Sequence, residues 1–251
     1  MCGKRESWTV SLLILLAIVA RAQAVALTWD ANTGTPDAQD GSGTWNTTVG
    51  NTPWWTGSGN VKWTNNSPAD SATFGNGGAA GTVTINTSVT CGAITFNSVA
   101  SGSYTIAGTS TLTLSGTPTL TANVAATISA PIGGTTGFNK AGAATLTLSG
   151  SSSYSGVATI QAGTLQLGNS AALGNSSGAA HGTTVQDGAT LDLNGYSTND
   201  YVSLAGAGVG GNGALINNSA SNVTVQMLTP TGDFTVGVGG SGALIAADLT
   251  T

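Results

Sequence analysis

The segment from Phe138 to Gly174, FNKAGAATLTLSGSSSYSGVATIQAGTLQLGNSAALG, constrains this chain more than any other. Leu146 and Leu148 alternate with Thr145 and Thr147, and Leu165 and Leu167 alternate with Thr164 and Gln166. Each run therefore has one apolar and one hydroxylated face, the period-two signature of a β-strand. The runs are too short to be stable alone and are joined by Gly and Ser turns. TLTLSG also occurs at Thr111–Gly116, and Val185-Gln-Asp-Gly-Ala-Thr-Leu191-Asp-Leu193-Asn-Gly195 repeats Ile160–Gly168 with two residues added. Recurrence at this spacing predicts a solenoid, in which each coil buries its apolar face against its neighbours.

Composition agrees. Only 6% of the residues are charged, 40% are hydrophobic and 38 are Gly. Helix formers are scarce while β-branched residues and turn formers interleave, which predicts an all-β chain. Disordered chains are poor in aliphatics, so period-two placement of the apolar residues argues against disorder. Beyond the first 26 residues the basic residues are Lys62 and Lys140, and all the acidic ones are Asp. Two lysines far apart make no positive stripe, which excludes nucleic acid as a partner and disfavours anionic membrane surfaces.

Lys4 and Arg5, an apolar run over Val10–Ala20 and the small-residue stretches Ala22-Gln-Ala24 and Ala24-Val-Ala26 make residues 1–26 a secretory signal peptide. The mature chain is then expected to be secreted or at the cell surface, with no membrane span. Cys2 leaves with the signal, so Cys91 has no internal partner and stability rests on the core, without disulfides.

Residues 27–80 hold Trp29, Trp45, Trp54, Trp55 and Trp63, and no Trp follows. This region reads as a Trp-rich N-terminal cap with the first rungs, since large aromatics cover the open end of a solenoid. Residues 81–251 read as β-helix repeats, clearest at 138–195. Gly150, Gly163, Gly168, Gly188 and Gly195 are assigned to corners with positive φ. The shared GALI of residues 213–216 and 242–245 suggests two degenerate rungs. A repeat-like ending at Thr251 suggests a fragment of a longer repeat protein, a shortened reading frame, or a final rung capped in another way.

The residues of 138–174 resemble the autotransporter-associated β-strand repeat, also called the passenger-associated transport repeat. Lys140, Gly142, Thr145–Gly150, Tyr154, Gly156, Ile160 and Ala162–Gly168 occupy its pattern, with Phe138 where an aliphatic residue is usual. The resemblance implies a right-handed parallel β-helix displayed on or released from a Gram-negative-type cell, the repeat assisting secretion and folding. It does not imply an enzyme; the expected role is structural, adhesin-like or display, with no cofactor or metal. The structural repeat residues are Lys140, Gly142, Leu146, Leu148, Gly150, Tyr154, Gly156, Ile160, Gly163, Leu165, Leu167 and Gly168.

Several motifs bear on chemistry. Gly174-Asn-Ser176-Ser-Gly178, with His181 and Asp187 downstream, matches G-x-S-x-G but lacks the strand–turn–helix setting of a nucleophile elbow. Gly206-Ala-Gly208-Val-Gly-Gly211 fits G-x-G-x-x-G but is followed by strand-like text, not a phosphate-binding helix. Asp187 and Asp192 approaching across a corner would suggest a polysaccharide lyase or glycosidase, but no cation or second pair accompanies them. Asp37-Ala-Gln-Asp40-Gly lacks the alternating Asp and terminal Glu of a calcium loop and reads as a solvated turn. Trp54 and Trp55, adjacent in a loop and hard to bury together, are the candidate glycan contacts of a carbohydrate-binding alternative. The expected partners are extracellular polysaccharide or cell-surface components.

Overall fold

In a computed structural model of the chain, residues 23–175 and 181–249 are described. The signal peptide reading of residues 1–26 falls almost wholly outside them, as do Ser176 and Gly178. The described residues form a parallel β-solenoid without α-helices, each coil contributing short strands to the same faces.

The first face stacks Ala26–Trp29, Ser71–Phe74, Ala93–Phe96, Thr119–Ala122, Phe138–Ala141, Ala158–Ile160, Thr183–Val185, Thr198–Gly206, Val223–Phe234 and Leu244–Leu249, all in parallel. The second runs from Gly43–Trp45 to Val236–Val238, through Thr145–Leu148, Gly163–Leu167, Ala189–Asp192 and Leu215–Asn217. A short third face pairs Val89–Cys91, Leu112–Leu114 and Ile132–Gly133.

Register explains the repeated text. Leu146 pairs with Leu165, Leu165 with Leu191 and Leu191 with Leu215, while Ile128 pairs with Leu148 and Leu148 with Leu167. Leu146, Leu148, Leu165, Leu167 and Leu191 are all buried, whereas Thr145, Thr147, Thr164 and Gln166 face outward. Each leucine is covered above and below by its counterpart, so apolar area is buried between coils as well as between faces. A one-residue slip would turn every leucine outward, which fixes the register.

One of the two extra residues of the 185–195 copy also has a place. Ile160 pairs with Val185 and Leu165 with Leu191, so five steps in one coil oppose six in the next. The surplus is absorbed by the exposed turn Gln186-Asp187-Gly188.

Two expectations about the repeat text change. Leu215 lies on the second face and Leu244 on the first, so the two GALI segments do not occupy equivalent positions. They are 29 residues apart, whereas paired residues nearby, such as Val223 and Leu244, are 21 apart. Among the corner glycines, Gly163, Gly188 and Gly195 have positive φ and Gly150 and Gly168 do not. At these two the coil below excludes a side chain: a Cβ on Gly150 would lie 2.5 Å from the Ala130 carbonyl oxygen, and one on Gly168 would lie 2.6 Å from the Ser149 Cβ.

Candidate functional site

At the first end of the solenoid, Trp54–Trp55 runs antiparallel to Ala26–Trp29 and Asn60–Val61 antiparallel to Trp54–Trp55. These reversed strands sit beyond the outermost parallel strand and occupy its free edge. Beneath them Trp29, Trp45, Trp54, Trp63 and Phe74 form a buried aromatic cluster. The centroid of Trp54 is 4.7 Å from that of Trp63, 4.9 Å from Trp45, 5.4 Å from Trp29 and 5.6 Å from Phe74. Phe74 stacks on Phe96 at 5.5 Å and so passes the cluster into the column of coils. The Trp29 and Trp63 indole N–H groups donate to the carbonyls of Gly41 and Thr90, both at 3.0 Å.

This geometry corrects the glycan reading for Trp54. Its ring is 0% exposed and walled in by aromatics, so it has no face for a sugar. Trp54 and Trp55 lie on a strand rather than in a loop, and alternation sends one inward and leaves the other half-buried at the surface. Trp55 faces Thr28 and Asn60 across its two strand pairings.

Asp40 does not make the expected solvated turn. Its carboxylate accepts the backbone N–H groups of Gly75 at 3.1 Å, Asn76 at 2.8 Å and Gly78 at 2.7 Å, and the Tyr104 hydroxyl at 2.7 Å. Four donors from two later coils converge on one carboxylate, which ties the cap to the repeats.

At the centre of the repeat text is a buried ammonium. Lys140 stands in an inward column, paired with Leu120 on one side and Ile160 on the other, and is 0% exposed. Its Nζ donates to three backbone carbonyls: Gly142 at 2.7 Å, Ala144 at 2.6 Å and Ala162 at 2.8 Å. All three ammonium protons are used. Burial pushes the Lys140 pKa down to about 8, while the three carbonyls favour the charged form.

The neighbouring glycines follow from this. Gly142 has φ of 80° and a Cβ there would lie 2.3 Å from the Ala122 carbonyl oxygen. Gly163 has φ of 64° and its Cβ would lie 2.6 Å from the Lys140 Nζ and 2.5 Å from the Gly142 oxygen. Lys140, Gly142 and Gly163 are therefore one device, a corner clamp, although they look like scattered consensus letters. Tyr154 and Ile160 are buried nearby, with Tyr154 edge-on to Phe138 at 5.3 Å. Gly156 lies against the backbone of Gly137, where a Cβ would not fit.

A buried carboxyl has no counterpart in the motif reading. Asp200 is 0% exposed, and its Oδ2 accepts the Thr183 hydroxyl. Its Oδ1 and the buried Tyr154 hydroxyl have no hydrogen-bond partner among the described residues. Burial raises the Asp200 carboxyl to about 7, against the opposing effect of the Thr183 bond. The Tyr154 hydroxyl is pushed well above its ordinary value by burial and by the Asp200 charge.

The remaining candidates are separated. Asp187 is exposed in its turn. Asp192 is buried in an outward polar ladder, accepting from the Gln166 amide at 3.0 Å, the Asn218 amide at 3.1 Å and the backbone N–H groups of Asn194 and Asn218. With its lone pairs so engaged, Asp192 is a structural acceptor and not half of an acid–base pair. His181 is half-buried beside the Ser155 carbonyl. After Gly206–Gly208 comes a single 3₁₀ turn, Val209–Gly211, too short to offer a phosphate an aligned helix dipole.

Comparison with known proteins gives the same picture from another direction. Residues 138–167, which carry the Lys140 clamp, match the family described as Passenger-associated-transport-repeat. The chain is 35% identical over 206 residues to the Adhesin BmaC autotransporter of Brucella suis biovar 1 (strain 1330). That alignment covers 80% of this chain and 6% of the Brucella protein, so the chain spans a small part of its relative's length. No solved structure matches. The chain thus carries a passenger-associated transport repeat within a parallel β-solenoid, similar over four fifths of its length to a stretch of an autotransporter adhesin.

Proposed function

We propose that this chain is a rod-like, non-enzymatic segment of an exported passenger, displayed at or released from the cell surface, and that it serves an adhesin-like role towards extracellular polysaccharide or cell-surface components. The observation that carries this reading is the similarity to an autotransporter adhesin, which extends far outside the repeat itself to 80% of the chain. The physical character of the rod supports it: hydroxyl and amide side chains cover its outer faces, and the buried carboxylates Asp30, Asp70 and Asp192 are occupied by structural hydrogen bonds. Export is part of the same proposal and rests on the leader-like residues 1–26.

Adhesion is tested with the purified chain as a soluble competitor. Pre-incubating host cells or immobilised polysaccharide with it is expected to reduce attachment of bacteria displaying the protein in a dose-dependent way. Unchanged attachment at saturating competitor, with a chain verified as folded by circular dichroism, would remove the adhesin role.

One observation favours a narrower contact. Trp55 alone of the cap tryptophans is half-exposed, on a strand flanked by Thr28 and Asn60, the mixture of aromatic face and polar rim that suits a sugar. Glycan retention lost in Trp55→Ala and kept in the wild type would support this contact.

A further inference from the structure

We propose that Lys140 is a lock between coils, whose buried ammonium makes the coil beginning at Phe138 and the coil beginning at Ala158 open and close as one unit. This goes beyond the adhesin reading and stands independently of it, because it concerns how the rod is held and not what it touches.

The three acceptors come from two places in the chain. Gly142 and Ala144 form the corner between Phe138–Ala141 and Thr145–Leu148 on the lysine's own coil. Ala162 forms the matching corner between Ala158–Ile160 and Gly163–Leu167 on the following coil. The following coil also supplies Ile160, which covers the lysine stem, and Gly163, whose missing side chain leaves room for the ammonium.

Removing the following coil takes away the third acceptor and the cover together, so the charge-assisted bond to Ala162 is exchanged for water. Disordering the lysine's own corner removes the other two acceptors. Either half-open state loses charge-assisted bonds that only the two coils together supply, so both are depopulated relative to the fully closed and fully open states. The aliphatic positions of the same column impose no such condition. Ile94 and Leu120 below, and Ile160, Val185 and Leu204 above, bury area in proportion to what stacks on them. In a solenoid whose coils touch only their neighbours, stability is a sum of nearest-neighbour terms, and a strong local term merges two coils into one cooperative block. Lys140 is the one basic side chain in the core of the described residues, and Lys62 is exposed.

Hydrogen exchange on the full chain, read by mass spectrometry in sub-denaturing urea, tests this. In the wild type the amides of Thr145–Leu148 and Gly163–Leu167 are expected to exchange with the same opening rate and urea dependence. In Lys140→Met, which keeps an unbranched side chain of similar length, the two strands are expected to separate by tenfold or more. Coincident exchange in both proteins would overturn the proposal. Where Lys140→Met does not fold, pulse labelling of wild-type lysines replaces it. Lys62 should react at once, and Lys140 only in molecules that have lost amide protection in both coils. Labelled Lys140 in molecules that keep protection in either coil would overturn the lock.

Discussion

Replacing Asp200 by Asn should stabilise the protein, and by an amount that depends on pH in a defined direction. The folded carboxyl has a pKa of about 7 against an ordinary 3.8, because burial disfavours its charge. A carboxyl raised in this way binds more protons folded than unfolded between those two values, so stability falls as pH climbs from about 4 to about 7 and is level above that. A shift of about three units corresponds to roughly 4 kcal/mol at full effect. Relaxation around the site reduces that, so a difference of about 2–4 kcal/mol between the Asp200→Asn variant and wild type is expected at pH 8, and close to none at pH 4. The Asn side chain keeps an acceptor for the Thr183 hydroxyl and puts an amide in place of an oxygen that already has no partner, a contribution that is the same at every pH and leaves the direction of the pH dependence unchanged. Urea unfolding of both proteins at pH 4, 6 and 8 measures the difference directly. Equal destabilisation by the mutation at every pH, or stabilisation largest at pH 4, would refute the reasoning.

Three further outcomes follow from the packing. Leu165→Ala should cost about 3 kcal/mol in chemical denaturation, because the leucine is covered by Leu146 and Leu191, whereas Thr164→Ala on the outward side should cost under about 1 kcal/mol. Gly142→Ala should cost at least about 2 kcal/mol in the same assay, since the new Cβ meets the Ala122 carbonyl oxygen at a φ of 80°. Trp54→Ala should lower the thermal midpoint of the cap sharply, by about 3–5 kcal/mol of lost packing, while Trp55→Ala should leave it nearly unchanged; glycan retention, where present, should respond in the opposite order.

The solenoid is readable in the sequence because its physics is periodic. Leu146, Leu148, Leu165 and Leu167 each lie two residues from a like neighbour, and the loops between them are short, so the faces and much of the register follow from spacing alone. The corner clamp is harder to read, because a lysine is ordinarily placed at the surface. Its signal is parity: in Phe138-Asn-Lys140-Ala141 the lysine shares the inward side with Phe138. Asp200 escapes notice for the same reason, although Thr198, Asp200, Val202 and Leu204 alternate inward along one strand. Parity also divides Trp54 from Trp55, which adjacency in the sequence groups together. The GALI pair misleads because identical letters need not fall at identical distances around a coil, and position on a face is set by that distance.

What the account depends on most is the stacking of successive coils in parallel, and a distance between spin labels tests it most directly. Thr82, Thr105, Thr127, Thr147 and Gln166 are successive partners in one outward column. Labels at Thr82 and Gln166 are therefore four coil steps apart, about 19 Å at roughly 4.8 Å per step. A narrow distribution centred near that distance by double electron–electron resonance is the predicted result. A distribution centred beyond about 30 Å would contradict the stacked column, and with it the account of the clamp and the rod.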